Sequence, residues 1–427
     1  MHRKLLVALL VLTLALPLGF SVASAQGEIE LRWRTRPDNE AEANVYRSVS
    51  EEIDAEWDNV SLRYEPGGSE TAGYQDVLIA EIEAGTAPDV FWIPGTDVAR
   101  FAEAGLILNL YDLMMEGPEF SIDDFYPGPM GFLTTPLDGE TPTLWGVPRD
   151  VSAFAIYYNA DLFDEAGLDY PGEGSWTWDD FYTAAREITA LGGEIRGFGM
   201  NSWWANWGWI VNSAGSRFFN EDYTACGLAN ENTVMGLEFM KRLYDEGLGV
   251  PWGTDSEPPF LAGTLGMFVN GRWATPGTIA NARFNWNVAP LPEGPAGSVN
   301  WLFWGAYVVN ARIDPAKAPY AWELITRLTS AEIQGRISSL GTNIPSRRSQ
   351  DAIDLFLATL PDSGVNNAVF TDSLRNAVTE APLFYGNWPA IDQAYGTAIN
   401  AVINGQLSPQ EFADTICQQV AQYFDAD

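Results

Sequence analysis

Ile29-Glu30-Leu31-Arg32-Trp33, Val60-Ser61-Leu62-Arg63-Tyr64 and Asp89-Val90-Phe91-Trp92-Ile93 decide the fold. The first alternates apolar and polar residues and reads as a strand, as does the second. The third is more continuously apolar, as expected of a buried parallel strand. Between the first two, Ala41 to Trp57 carries Val45, Val49, Ile53 and Trp57 at helical spacing. Between the last two, Tyr74 to Ala84 reads as a helix ended by Gly85. The order β-α-β-α-β is that of an open α/β sheet. Trp33 and Trp57 fall on the periodic positions and read as core.

The alternation continues outward. Ala153 to Tyr158, Leu265 to Val269 and Ala306 to Val309 read as strands. Thr177-Trp178-Asp179-Asp180 opens a helix to about Thr189, and Thr233 to Glu246 is a helix stopped by Gly247. Ala318 to Leu328 and Ser408 to Phe424 are helices, the latter capped by Ser408 with Pro409 in the first helical position. No repeat or Pro/Ser linker interrupts this pattern. Two domains in such a chain are interleaved rather than tethered.

The amino-terminus is different. Met1-His2-Arg3-Lys4 is a basic n-region, Leu5 to about Phe20 an apolar stretch, and Ala23-Ser24-Ala25 a small-x-small cleavage pattern. About 16 apolar residues fall short of the roughly 20 that a span needs. Residues 1–25 are therefore expected to be a cleaved signal peptide, with Gln26 as the new terminus. No cysteine follows for lipid attachment, and no later stretch reads as membrane-inserting. The expected location is periplasmic or extracellular.

Composition excludes whole classes of function. The 427 residues carry a formal net charge of −34, with 57 acids against 23 bases. The single histidine lies in the leader, so Ser-His-Asp and Cys-His catalysis have no base. Two cysteines, Cys226 and Cys417, with no histidine, leave no zinc site of the usual kind. The acidity opposes nucleic acid and anionic lipid as partners. In an oxidising compartment the two cysteines are free to bond, which would close a long loop worth up to about 4–5 kcal/mol. Two unpaired, buried thiols are the alternative.

Seventeen tryptophans are the other compositional signal. Trp203, Trp204, Trp207, Trp209, Trp273, Trp301, Trp304 and Trp388 fall in segments read as loops. An indole in a loop is a flat apolar platform with an N–H at its edge, which suits the C–H face and polar rim of a sugar ring. Core packing is the plain alternative for any one of them. Charged and amide side chains in similar segments, Arg36, Asp38, Asn39, Glu40, Asp97, Arg149, Asp150 and Arg272, are candidates for bidentate contacts to hydroxyls. For each alone, a solvated surface charge is the plain alternative. Paired carboxylates also serve glycosidases, but with 57 acids such pairs arise by chance.

Several runs, in order, carry a resemblance. They are Ala87-Pro88-Asp89-Val90-Phe91-Trp92 with Phe101-Ala102-Glu103-Ala104-Gly105-Leu106-Ile107, then Trp145-Gly146-Val147-Pro148-Arg149-Asp150 with Ile156-Tyr157-Tyr158-Asn159-Ala160-Asp161-Leu162-Phe163. Ser175-Trp176-Thr177-Trp178-Asp179-Asp180-Phe181 and Gly263-Thr264-Leu265-Gly266-Met267-Phe268-Val269-Asn270-Gly271-Arg272-Trp273 complete the set. The chain resembles the extracellular solute-binding proteins of ABC importers, in the sugar-binding family that includes maltose-binding protein. The resemblance implies a periplasmic-binding-protein-like α/β fold of two lobes with a ligand cleft between them. By that analogy lobe 1 is 26–148 and 292–342, and lobe 2 is 149–291 and 343–427. Both cysteines then share lobe 2, which favours their pairing.

Carried over position by position, the ligand contacts fall at Arg36, Asp38, Asn39, Trp92, Asp97, Asp150, Trp203, Trp204, Arg272, Trp273, Trp304, Gly305 and Trp388. The implied function is capture of a carbohydrate by lobe closure and delivery to membrane permease subunits, by a monomer with no cofactor, no metal and no catalysis. A polyamine or a glycerol phosphodiester on the same scaffold is one alternative. A secreted glycosidase is another.

Overall fold

The computed structural model describes residues 29–37, 40–67, 73–172, 174, 176–358, 364–383 and 386–424. The expected signal peptide lies outside them, as do Asp38 and Asn39. Among the described residues eleven strands form two sheets. They are β1 (Ile29–Thr35), β2 (Val60–Pro66), β3 (Val90–Pro94), β4 (Val147–Ser152), β5 (Phe154–Asn159), β6 (Arg196–Met200), β7 (Leu265–Gly271), β8 (Trp286–Ala289), β9 (Trp301–Val309), β10 (Ile344–Pro345) and β11 (Val378–Thr379).

The first sheet has the order β10-β4-β9-β3-β1-β2, with β11 beside β9. β2, β1 and β3 are parallel, as the β-α-β-α-β reading requires. β9 joins β3 antiparallel, and β4 joins β9 antiparallel, so the sheet is mixed. The alternation in β1 sends Leu31, Trp33 and Thr35 inward. Helix Glu40–Glu56 covers that face with Tyr46, Val49 and Ile53. The Trp33 indole N–H donates to Ser50 Oγ at 3.1 Å. On the other face Arg32 pairs with Glu65 at 2.7 Å. Trp57 departs from its core reading: it is half-buried, and its N–H reaches Glu323 at 3.1 Å.

The second sheet is β6-β7-β5-β8. Period-two alternation divides β5 between two cores. Phe154, Ile156 and Tyr158 pack on the helical side with Phe198 and Met267, while Ala155 and Tyr157 face the core shared with the first sheet. Helix Trp178–Thr189 starts at Thr177 in a reciprocal capping box with Asp180, and helix Pro409–Val420 does the same with Ser408 and Glu411. The latter ends at Val420 and tightens into a 3₁₀ turn, Ala421–Tyr423, before the expected end at Phe424.

The chain changes sheet at Ala153, between β4 and β5. The expected crossing at 148/149 lies inside β4, because that strand stays paired with β9 as far as Ser152. A second change of sheet falls between β8 and β9. The expected crossing at 342/343 precedes β10, which still pairs with β4. Asn300 ties two of the crossings together: its amide donates to Phe154 O at 2.7 Å and accepts from Phe154 N at 3.0 Å. Cys226 and Cys417 are bonded, joining the loop before helix Glu231–Asp245 to helix Pro409–Val420. Among the described residues no helix is long and apolar enough to cross a membrane, and no group of His, Cys, Asp and Glu has the arrangement to hold a metal.

Candidate functional site

Ligands in open α/β sheets bind outside the carboxyl ends of the parallel strands. Here Arg36 follows β1, Trp92 and Pro94 end β3, and Thr96 begins the next turn. From the second sheet come Trp203 and Trp204 after β6 and Trp273 after β7. Asp150 and Gly305 sit on the paired strands β4 and β9. Together these residues line a cleft of about 320 Å³ between the two sheets.

Three indoles owe their positions to glycines. A Cβ on Gly305 would lie 2.1 Å from Trp92 Nε1, one on Gly95 2.4 Å from the Trp304 ring, and one on Gly271 2.3 Å from the Trp273 ring. Each ring therefore sits against backbone that no other residue type permits without displacement. Trp203 stacks on Phe303 (5.6 Å, 28°), with Trp273 edge-on to Phe303 at 5.4 Å. These rings form an apolar wall, and Trp203 and Trp273 are only half-buried. Across the cleft Trp304 stacks on Phe132 at 6.4 Å and 6°, and its N–H donates to Glu380 O at 2.7 Å.

The polar side is built around Trp92. Arg36 and Arg149 lie over its ring at 5.0 and 4.8 Å. Arg149 Nε bonds Asp150 Oδ2 at 2.6 Å, and its Nη1 donates to Thr35 Oγ1 at 2.9 Å and Arg36 O at 3.1 Å. Burial pulls the Arg149 pKa down, but Asp150 and other neighbours outweigh it and hold the guanidinium well above its ordinary value. Arg36 Nε, Trp92 Nε1 and Asn343 Nδ2 are buried donors without a partner among the described residues. Trp92 and Asn343 are each only 6% exposed. Such donors are costly unless a ligand satisfies them.

A second chamber of about 290 Å³ adjoins the first, sharing Thr96, Trp204 and Glu380 with it. Trp388, the first residue of helix Trp388–Ile403, lines this chamber rather than the cleft.

Two expected contacts lie elsewhere. Arg272 is fully buried behind the cleft, between Phe356 and Phe370, bonded to Gly341 O. Burial lowers its pKa to about 10. The reason is the turn Arg272–Ala274, where adjacent side chains diverge and only Trp273 faces the cleft. Asp97 stands behind Thr96 and pairs with Arg100 at 2.6 Å. Burial pushes its carboxyl up, against Arg100.

The loop assignment of several tryptophans is also corrected. Trp204, Trp207 and Trp209 lie in helix Trp204–Ala214, with Trp207 and Trp209 in the core; Trp301 and Trp304 lie in β9. The site residues that sequence reasoning passed over are Gln75, Thr96, Ser152, Phe303, Asn343 and Glu380. Phe303 had a signal, since it lies between Trp301 and Trp304. Glu380 and Asn343 had none.

The model for bacterial extracellular solute-binding proteins matches residues 41–335. The chain belongs to that family. A putative binding protein of Brucella abortus is 25% identical over 429 residues, covering 95% of both chains. The lactose-binding protein of Rhizobium radiobacter is 24% identical over 400 residues, 81% of this chain and 89% of that one. Among solved structures, the ABC substrate-binding protein of Listeria monocytogenes in complex with cycloalternan superposes with a TM-score of 0.80 at 19% identity. It covers 93% of this chain and 99% of that chain. The fold is the two-lobed α/β fold of such binding proteins.

Proposed function

We propose that this chain is exported by its leader, captures a carbohydrate between its lobes by closure, and delivers it to the permease subunits of an ABC importer. The carrying observation is the cleft's division of labour. Half-buried Trp203 and Trp273, packed on Phe303, face one side. Unpartnered donors and the Arg149–Asp150 pair face the other. A sugar ring has the matching two faces, one of C–H groups and one of hydroxyls. The lobes are divided at Ala153 and between β8 and β9, with β10 completing the first sheet. Arg36, Trp92, Asp150, Trp203, Trp204, Trp273, Trp304 and Gly305 are the proposed contacts in the cleft. Asp38 and Asn39 follow Arg36 in sequence and are proposed with it.

A thermal-shift screen of residues 26–427 against mono-, di- and oligosaccharides, polyamines and glycerol phosphates tests this. A ligand at 100 times its dissociation constant adds about 2.7 kcal/mol, a rise of several degrees. A rise with one sugar class supports the reading. A rise only with glycerol phosphates would replace it, and one observation favours that runner-up: the orphaned cleft groups are all donors, beside two arginines, as an anion would want. No observation favours a glycosidase. The cleft's Asp150 is held in an ion pair by Arg149.

A further inference from the structure

The second chamber has a chemistry of its own. Its rings meet edge to face: Trp204 with Trp301 (4.9 Å, 83°) and with Trp388 (5.6 Å, 86°), and Phe219 with Trp388 (5.8 Å, 77°). Tyr223 stands against Phe219 at 6.2 Å and 62°. Mutually perpendicular rings make a box rather than the parallel platform on which a sugar ring lies. Such boxes present several negative π-faces to one point, the geometry that binds organic cations. Arg36 and Arg149 already cover the face of Trp92 in the cleft. No described arginine or lysine is placed over Trp204, Trp301 or Trp388.

Two carboxyl side chains, Glu221 and Glu380, line the same chamber. Glu380 is 8% exposed and has no ion-pair partner among the described residues. Burial holds its carboxyl up at about 8, as expected of an acid without a counter-ion. The chamber also has one base among its described lining residues, Arg217. Its Nη1 is spent on the carbonyls of Ser216 (2.7 Å) and Asn212 (3.2 Å).

We infer that the chamber is a subsite for an organic ammonium group, carried by the transported solute or bound beside it, with the box of Trp204, Trp301, Trp388 and Phe219 surrounding the cation and Glu380 as its counter-ion. A neutral group of the same shape gains the apolar contact but neither the cation–π attraction nor the ion pair.

The test is calorimetric titration of the full mature chain with choline and with 3,3-dimethylbutan-1-ol, its uncharged isostere. It is run at mildly alkaline pH and in high salt to screen the acidic surface. Choline is expected to bind at least tenfold tighter than the isostere. Trp388→Ala should abolish the binding, and Glu380→Gln, which keeps the shape, should weaken it severalfold. Equal binding of the two probes would reduce the chamber to an apolar pocket and overturn the inference. So would no choline binding, or binding that neither variant alters, which would place the cation elsewhere. The inference stands apart from the carbohydrate reading: a sugar response without choline binding defeats this one alone, and choline binding without any sugar response defeats only the other.

Discussion

Glu380 sits in an environment that disagrees with its chemistry. Its carboxyl titrates near 8 because burial disfavours the charged form, although a backbone hydrogen bond from Trp304 opposes the rise. The unfolded carboxyl titrates at about 4.3. Between those values the folded state binds more protons than the unfolded state, so stability falls as pH rises through that window and levels off above 8. Glu380→Gln removes the titration. Thermal unfolding should show the variant more stable than the parent at alkaline pH by a few degrees, with the two converging near pH 4. A pH-independent difference would show that Glu380 is not the titrating group. Gly305 makes a second residue-scale case. Gly305→Ala puts a methyl 2.1 Å from Trp92 Nε1, so the indole must move. Overpacking of this kind costs about 1–3 kcal/mol. Ligand affinity should fall at least tenfold with it, because Trp92 anchors both arginines. Unchanged affinity would remove Trp92 from the binding face.

At the scale of elements, the turn Arg272–Ala274 separates two neighbours that the sequence grouped together. Trp273 stands in the cleft wall and Arg272 lies in the core beside Phe356 and Phe370 with Nε and Nη2 unpartnered. A buried cation without an anion is replaceable by an apolar chain of similar length. Arg272→Met should leave sugar affinity within twofold and stability within about 1.5 kcal/mol of the parent, while Trp273→Ala should lose affinity at least tenfold. The reverse pattern in a titration series would restore Arg272 as a contact. Strands and helices were legible wherever periodicity was strong: β1 to β3, helix Trp178–Thr189 and the Ser408 cap. The helix Trp204–Ala214 was not, because Trp-Ala-Asn-Trp-Gly-Trp is apolar all round and buried throughout, so it has no amphipathic period to read. The glycines of the cleft were visible as letters, but their roles were not. Gly95 with Trp304 and Gly305 with Trp92 are cradles made between strands far apart in sequence. Asn343 and Glu380 reach the cleft through β10 and β11, strands of two residues each, too short to leave a pattern.

At the scale of the whole molecule, the question is whether the cleft closes on its ligand. The chain passes between the sheets at Ala153 and between β8 and β9, and Asn300 clamps these two crossings with paired hydrogen bonds to Phe154. A hinge so placed bends about neighbouring segments and leaves each lobe's core intact. Across the mouth, Phe132 beside β4 meets Tyr223, on the loop that the Cys226–Cys417 bond pins, with ring centroids 5.4 Å apart. If the lobes close on the solute as proposed, this contact is one that would join them. Closure then shifts a population rather than creating a new state. Small-angle scattering of the mature protein should show a smaller radius of gyration once the solute found by thermal shift is added. Phe132→Ala should blunt the change and raise the dissociation constant several-fold. Reduction of the disulfide should cost about 2–5 kcal/mol of stability and weaken binding in the same direction, because Tyr223 then loses its fixed support. If scattering is unchanged by saturating ligand, or Phe132→Ala binds as tightly as the parent, the lobes do not close on the solute and the aromatic contact is packing alone.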